Sequence, residues 1–379
     1  MDSKETVIIA GGGLAGLTSA IHLSKLGIPV LLIDKNEFPK HKVCGEYISN
    51  EVLPYLNWLG VDPEQLHPAH ISKIIFSTSS GKTLHSDLPL GGFGISRYAL
   101  DFYLYQKALQ QNCRIVQDNI TSIDFANDLF SVSLSNKETI KAKVVIGAFG
   151  KRSNIDQKMQ RRFMLKKSPW LAVKGHFKGN FSDDLVGLHN FKGGYCGVSK
   201  VENDEINICY LADFNTFKQY KNIDDYQEKV LYKNPELKSI FENSTPIFEK
   251  PMTISQISFD KKKCVENHVL MIGDTAGLIH PLCGNGMAIA IHSAKIASEN
   301  VVKFLASENG SRRELEKNYD REWNVQFRSR LQMGRWLGNL LQMQRLSEVM
   351  MHFVTLFPSL LPKIIARTHG KLIPAPHVN

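Results

Sequence analysis

Gly11, Gly13 and Gly16 have the spacing of a phosphate loop, and Asp34 lies 18 residues beyond the last of them. With no Cβ, position 11 permits a tight turn and position 13 lets the backbone approach a pyrophosphate. Position 16 lets the next helix pack on its strand. Leu14 and Ala15 open that helix, whose first N–H groups and dipole favour negative charge. Asp34 can accept hydrogen bonds from both hydroxyls of a ribose. More than 250 residues later the run VLMI ends on Gly273-Asp274, followed by a glycine-rich turn and a long apolar segment. One phosphate loop indicates a dinucleotide. The second motif indicates how the chain wraps around it.

The elements that must position these residues follow from the pattern. Val7, Ile8 and Ile9 make an apolar run, as in a strand buried on both faces. Leu14, Leu17, Ala20, Ile21 and Leu23 fall near helical spacing over 14–26, Gly27 ends the helix, and 30–33 forms a second strand finishing on Asp34. Strand, helix, strand and terminal acid together predict an adenine-dinucleotide site in a Rossmann-like unit. Residues 72–89 alternate weakly about Ser80-Gly81, predicting a strand pair. Residues 113–146 predict short strands with turns at Asn127-Asp128 and Asn136-Lys137, returning to the nucleotide-binding sheet at 144–146. The stretches 170–177, 185–191, 194–200 and 206–211 alternate between turn residues and predict an antiparallel meander. Residues 214–250 read as mainly helical, and a helix is expected from Met287 to Leu305. Residues 311–371 predict two or three helices with an apolar stripe at Trp323, Phe327, Leu331, Leu337 and Leu341. Gly334 and Gly338 read as permitting close helix packing within the fold.

Composition bounds the class. A chain of 379 residues, 43% hydrophobic and 22% charged, is ordinary for a globular protein with two or three cores. The first strand is expected directly after Thr6, so no signal peptide is expected. No apolar run reaches the roughly 18 residues of a membrane span. The six cysteines show no C-x-x-C or zinc spacing, so no metal site is expected and a reduced cytoplasm is the natural reading. The net charge is +9. Basic clusters at Arg161, Arg162, Lys166, Lys167 and 261–263 carry no nucleic-acid motif. They read first as a solvated face, and second as attraction to an anionic membrane surface or an acidic partner. The basic amphipathic part of 311–371 gives the same choice between a cap on the substrate pocket and a peripheral membrane contact.

Four stretches carry a resemblance. Residues 38–46, FPKHKVCGE, resemble a segment of the flavoproteins related to para-hydroxybenzoate hydroxylase, and especially of the geranylgeranyl reductases. Residues 95–104, ISRYALDFYL, resemble their Arg-x-x-Leu-Asp-x-x-Leu helix start. Residues 269–286 resemble their Gly-Asp-x-x-Gly and His-Pro-x-x-Gly-x-Gly motif, and 143–153, KVVIGAFGKRS, fall where Ala-Asp-Gly-x-x-Ser is usual. The resemblance spans 1–305 and implies non-covalent FAD. The fold it implies is α/β (α+β overall): a Rossmann-like FAD-binding domain with an inserted antiparallel β-sheet substrate domain and a C-terminal helical segment. The expected divisions are 1–70, 95–165 and 255–305 for the FAD domain, 71–94 and 166–254 for the substrate sheet, and 306–379 for the helices. The implied cofactor-binding residues are Gly11, Gly13, Leu14, Ala15, Gly16, Asp34, Lys35, Lys42, Cys44, Gly45, Arg97, Gly150, Gly273, Asp274, Pro281, Gly284, Asn285, Gly286 and Met287. Arg97 would reach the pyrophosphate as a bidentate donor. Asp274 would bind ribityl hydroxyls, and Gly284 and Gly286 would leave room for the flavin ring. The helix after them would stabilise negative charge on the reduced ring. Cys44, Glu46 and Tyr195 are the catalytic candidates, Cys44 and Glu46 through their expected place beside the flavin.

The chain also departs from the pattern. Phe149 stands where an acid usually contributes to FAD and NAD(P)H pyrophosphate binding and cannot accept a hydrogen bond, so of the two electron routes, NAD(P)H directly or through a separate flavin reductase, it weighs against the direct one. Residues 194–199, GYCGVS, keep the Tyr of the reductases' Tyr-x-Trp-x-Phe-Pro stretch and lack its Trp and Phe-Pro. The Trp-x-Trp-x-Ile-Pro motif of halogenases is absent. The first expectation is a monooxygenase that hydroxylates or epoxidises an apolar or phenolic small molecule via a flavin hydroperoxide. The alternative is a reductase of carbon–carbon double bonds in a prenyl lipid. A third reading is a flavin-binding or electron-carrier protein without catalysis.

Overall fold

The computed structural model describes residues 5–220, 222–342, 365, 367 and 369–376. Its strands are β1 (Glu5–Ala10), β2 (Val30–Asp34), β3 (Tyr47–Ser49), β4 (Ala69–Ser77), β5 (Thr83–Gly94), β6 (Arg114–Gln117), β7 (Ile120–Ala126), β8 (Leu129–Leu134) and β9 (Thr139–Gly147). They continue as β10 (Trp170–Gly179), β11 (Leu185–Phe191), β12 (Gly194–Lys200), β13 (Ile206–Asp213), β14 (Ser244–Pro246), β15 (Met252–Ser255), β16 (Val265–Glu266) and β17 (Val269–Met271). The helices are α1 (Leu14–Lys25), α2 (Leu53–Leu59), α3 (Arg97–Gln110), α4 (Asn154–Lys158), α5 (Phe214–Phe217), α6 (Ile223–Lys229), α7 (Pro235–Glu242), α8 (Gly286–Ala306) and α9 (Arg312–Gln342).

Two sheets organise the chain. The first has the order β16-β17-β9-β1-β2-β6, with β7 and β8 attached through β9. Its centre is parallel, Ile8 lying opposite Leu31 on one side and Val145 on the other. These strands are apolar throughout because helices cover both faces; Val7, Ile8 and Ile9 are fully buried. The second sheet has the order β14-β10-β13-β12-β11-β4-β5-β3, with β15 on β10. The expected meander is corrected here: β10 skips its successor and pairs with β13. The sheet is also not wholly antiparallel, because β11 runs parallel to β4. Alternation still holds. Ala172, Leu188, Tyr195 and Leu211 face the large core shared with the first sheet. Val173, Cys196, Val198 and Tyr210 face a smaller core with Tyr226, Leu237 and Phe241 of α6 and α7.

The long C-terminal helix α9 buries Trp323, Phe327, Leu331 and Leu337. A Cβ at Gly338 would lie 2.5 Å from the His280 ring, and one at Gly334 3.0 Å from Ile279, so this glycine pair lets α9 pack close. The side chain of Leu341 and the apolar part near 349–364 lie outside the described residues. No described helix is long and apolar enough to cross a membrane.

Candidate functional site

A cavity of about 840 Å³ is lined from both sheets. One end is built by the loop from β1 to α1 and by the end of β2. Gly11 takes a φ of +113°, and a Cβ there would strike the Ala148 carbonyl at 2.3 Å. A Cβ at Gly16 would lie 1.9 Å from the Gly11 oxygen, so that glycine serves helix-on-strand packing and does not line the cavity. Gly13 differs. Its missing side chain opens toward Arg97 Nη2 and Lys42 Nζ, 3.7 and 3.8 Å from the Cβ position. The loop and two cations thus face one another across a space free of side chains. Helix α1 begins there with no side-chain cap and no acid in its first turn, leaving its N–H groups to an anion. Asp34 sits at the wall with Lys35, its carboxylate fixed by the N–H of Gly12 at 2.6 Å and of Asn36 at 2.8 Å.

Arg97 is the first residue of α3. Its Nε and Nη2 grip both oxygens of buried Asp101, at 2.7 and 2.6 Å. Lys42 lies 3.7 Å from the same carboxylate. The arginine is held by its own helix rather than exposed, and its remaining N–H groups stay with the cavity it lines. Behind it sits Glu46, fully buried and in a left-handed backbone conformation at φ 54°. Its carboxylate accepts from the Arg97 N–H at 2.7 Å, from Lys174 Nζ at 2.5 Å and from His176 Nε2 at 2.7 Å. His176 Nδ1 reaches Glu205 at 2.9 Å. Burial alone would raise the Glu46 carboxyl. The His176 hydrogen bond and the Lys174 charge outweigh it and hold the group below the ordinary carboxylate range. Lys174 also donates to the Lys42 carbonyl at 3.2 Å, Lys151 to Val43 at 2.6 Å, and Asn207 to Gly45 at 2.9 Å. The 42–46 segment is thereby fixed by its backbone.

At the other end Gly150, at φ +82°, donates its N–H to Thr275 Oγ1 at 2.8 Å. Gly273, Asp274, Pro281, Gly284, Asn285, Gly286 and Met287 all line the cavity. Buried Lys262 donates to the Asp274 carbonyl at 2.7 Å and fixes that turn. Helix α8 starts with neither a side-chain cap nor an acid, a second N-terminus open to negative charge. Glu51, fully buried, ties this turn to the rest: Asn285 Nδ2 lies 3.2 Å away, Arg330 of α9 3.1 Å, and the Gly370 N–H 2.6 Å. A third wall comes from the second sheet, where Ile74, Phe76, Leu84, Leu88, Val186 and Leu188 present only hydrocarbon.

The two N-termini, the acid that ends β2 and the side-chain-free space at Gly13 fit the two ends of FAD. A model of the FAD binding domain family matches residues 4–324. The chain belongs to this family. Digeranylgeranylglycerophospholipid reductase 1 of Methanosphaera stadtmanae is 25% identical over 86% of this chain and 81% of its own length. Conditioned medium factor receptor 1 of Dictyostelium discoideum is 24% identical over 86% and 68%. Among solved structures, the flavin-dependent brominase Bmp2 superposes with a TM-score of 0.79 at 17% identity, covering 97% of this chain and 93% of that one. That likeness is one of fold. The chain is therefore a flavoprotein of the FAD-dependent oxidoreductase group.

Within this FAD-binding fold the catalytic candidates separate. Cys44 is half-buried and lines the cavity. Glu46 lies at the same wall, but the His176 hydrogen bond and the Lys174 charge keep it ionised, which suits holding α3 and not giving up a proton. Tyr195 is not among the lining residues; it is buried against the His280 ring at a centroid distance of 5.9 Å. Burial pushes the Cys283 thiol up to about 12, so it stays protonated. Sequence reasoning missed Lys174, His176 and Asn207. Their signal was weak: polar residues on alternate positions of strands otherwise read as apolar.

Proposed function

We propose that this flavoprotein reduces a carbon–carbon double bond in an apolar, isoprenoid-type substrate. The observation that carries the reading is the all-hydrocarbon wall of Ile74, Phe76, Leu84, Leu88, Val186 and Leu188. None of these side chains can hydrogen-bond a phenol, whereas each can pack on hydrocarbon. The similarity to a reductase of digeranylgeranylglycerophospholipid supports the same substrate class. Once reduced by NAD(P)H or by a separate reductase, bound flavin would supply the hydride equivalent. Gly13, Arg97, Lys42 and the α1 N-terminus would hold the FAD pyrophosphate. Asp34 would hold the ribose, and Asp274 with the turn at 284–286 the ribityl and ring end. Hydride goes to one carbon and a proton to the other. Cys44 is the thiol placed at the wall to give that proton.

A second reading is oxygen insertion into the same hydrocarbon. Tyr195 lies outside the cavity and Glu46 is held ionised, so two of the three candidate donors are withdrawn from a reduction that needs one. FAD-loaded protein, reduced with dithionite and mixed with geranylgeraniol, separates the two. Gain of two hydrogens per double bond under strict anaerobiosis supports reduction. Product formed only in air, carrying an added oxygen atom, overturns it.

A further inference from the structure

Strand β12 runs through the middle of the second sheet, between β11 and β13. Its side chains alternate: Cys196 and Val198 enter the core under α6 and α7, while Tyr195 enters the core on the cavity side. Gly197 shares the side of Tyr195 by the two-residue period of a strand. It sits opposite Leu188 of β11 and Cys209 of β13. Leu188 is paired in turn with Phe76 of β4, and Phe76 with Leu84 of β5. Gly197, Leu188, Phe76 and Leu84 are therefore one row across four strands, and all four line the cavity.

The fold does not require a glycine here. A Cβ at Gly197 would meet only the Cys209 oxygen at 3.7 Å and Leu188 Cδ2 at 3.8 Å, ordinary contacts both. Its neighbours in the sheet are different. A Cβ at Gly187 would strike the His189 ring at 2.3 Å, and one at Gly194 the Leu211 carbonyl at 2.1 Å. Gly197 has no positive φ either. Glycine inside a strand costs backbone entropy and packs nothing. What its bare backbone leaves is space, directly beside the hydrocarbon side chains of that row.

We propose that Gly197 is the specificity-determining position of the site, a seat for a branched isoprenoid segment that any side chain would fill. This rests on the function proposed above and assigns the part of the wall that selects the substrate. A methyl branch lies against the bare strand while Leu188 and Phe76 pack on the chain to either side of it.

The test uses FAD-loaded wild-type protein, Gly197→Ala and Gly197→Leu. Geranylgeraniol is titrated into each and followed by the visible absorbance of the flavin, and FAD affinity is measured separately by flavin fluorescence. The expected result is graded: a small loss of geranylgeraniol affinity for Ala and a loss of about tenfold or more for Leu, with FAD affinity held within about twofold. The Ala variant keeps the test open if Leu does not fold. Unchanged geranylgeraniol affinity in the variants overturns the seat, as does loss of FAD in parallel with it. A wild-type protein that binds FAD and shows no response to geranylgeraniol overturns the substrate class. Failure of the wild-type chain to bind FAD would overturn the function beneath the proposal.

Discussion

Glu46→Gln removes one charge and little else. The amide oxygen can still accept from the Arg97 N–H, but Lys174 loses its carboxylate at 2.5 Å while remaining fully buried. Breaking a buried pair from one side costs about 3–5 kcal/mol, because the surviving charge has no water and no countercharge. What remains to Lys174 is the neutral amide oxygen and the Lys42 carbonyl at 3.2 Å. We predict a loss of about 3–5 kcal/mol in urea unfolding followed by tryptophan fluorescence, since Trp170 lies on the same strand as Lys174. Glu46→Gln with Lys174→Met should recover more than half of it, as expected when the stranded charge is the cost. The pH dependence has a fixed sign. The Glu46 carboxyl is depressed in the fold, so its contribution is present above the unfolded value, near pH 4.3, and fades as pH falls through the folded one. The gap between wild type and Glu46→Gln should therefore persist at neutral pH and close only in acid. A single-variant loss under about 1 kcal/mol, or a double variant no better than the single, would refute the reasoning.

Three further outcomes follow from the site. Gly13→Ala puts a methyl into the space facing Arg97 and Lys42 without a clash in the protein; FAD affinity by fluorescence titration should fall about 10- to 100-fold with unfolding unchanged. Arg97→Ala should lower FAD affinity by a similar ~10- to 100-fold, and Arg97→Lys should recover it only in part because the fork on Asp101 is lost. Burial lowers His280 from 6.5 to about 4, so the fold binds fewer protons than the unfolded chain between those values. Stability should decline as pH drops from about 6.5 toward 4, by up to roughly 3 kcal/mol, and His280→Leu should flatten that slope in denaturant titrations at several pH values.

How much of this was legible before the structure depends on the range of each interaction. The β1–α1–β2 unit was, because strand, glycines, helix and acid are local. So were the strands of the second sheet, whose alternation is printed in each segment. Their order was not: nothing in 170–177 says that its partner is β13 rather than β11. The ion pair of Glu46 and Lys174 spans 128 residues and leaves no periodic mark. Tyr195 was placed by a motif match, and the strand carries it past the cavity into the core. Gly197 stands where that motif has its Trp, so the departure itself pointed to the wall that differs.

Glu51 binds Asn285, Arg330 and Gly370, and its carbonyl accepts the N–H of Ile373 at 2.7 Å. Its side-chain partners stand 234, 279 and 319 residues away in the sequence. The phosphate loop and the acid of β2, by contrast, are closed by contacts among near neighbours. Closing long loops costs entropy before any contact repays it. The adenine end of the cavity can therefore take shape early in folding, while the turn against the ring end is among the last parts to be fixed.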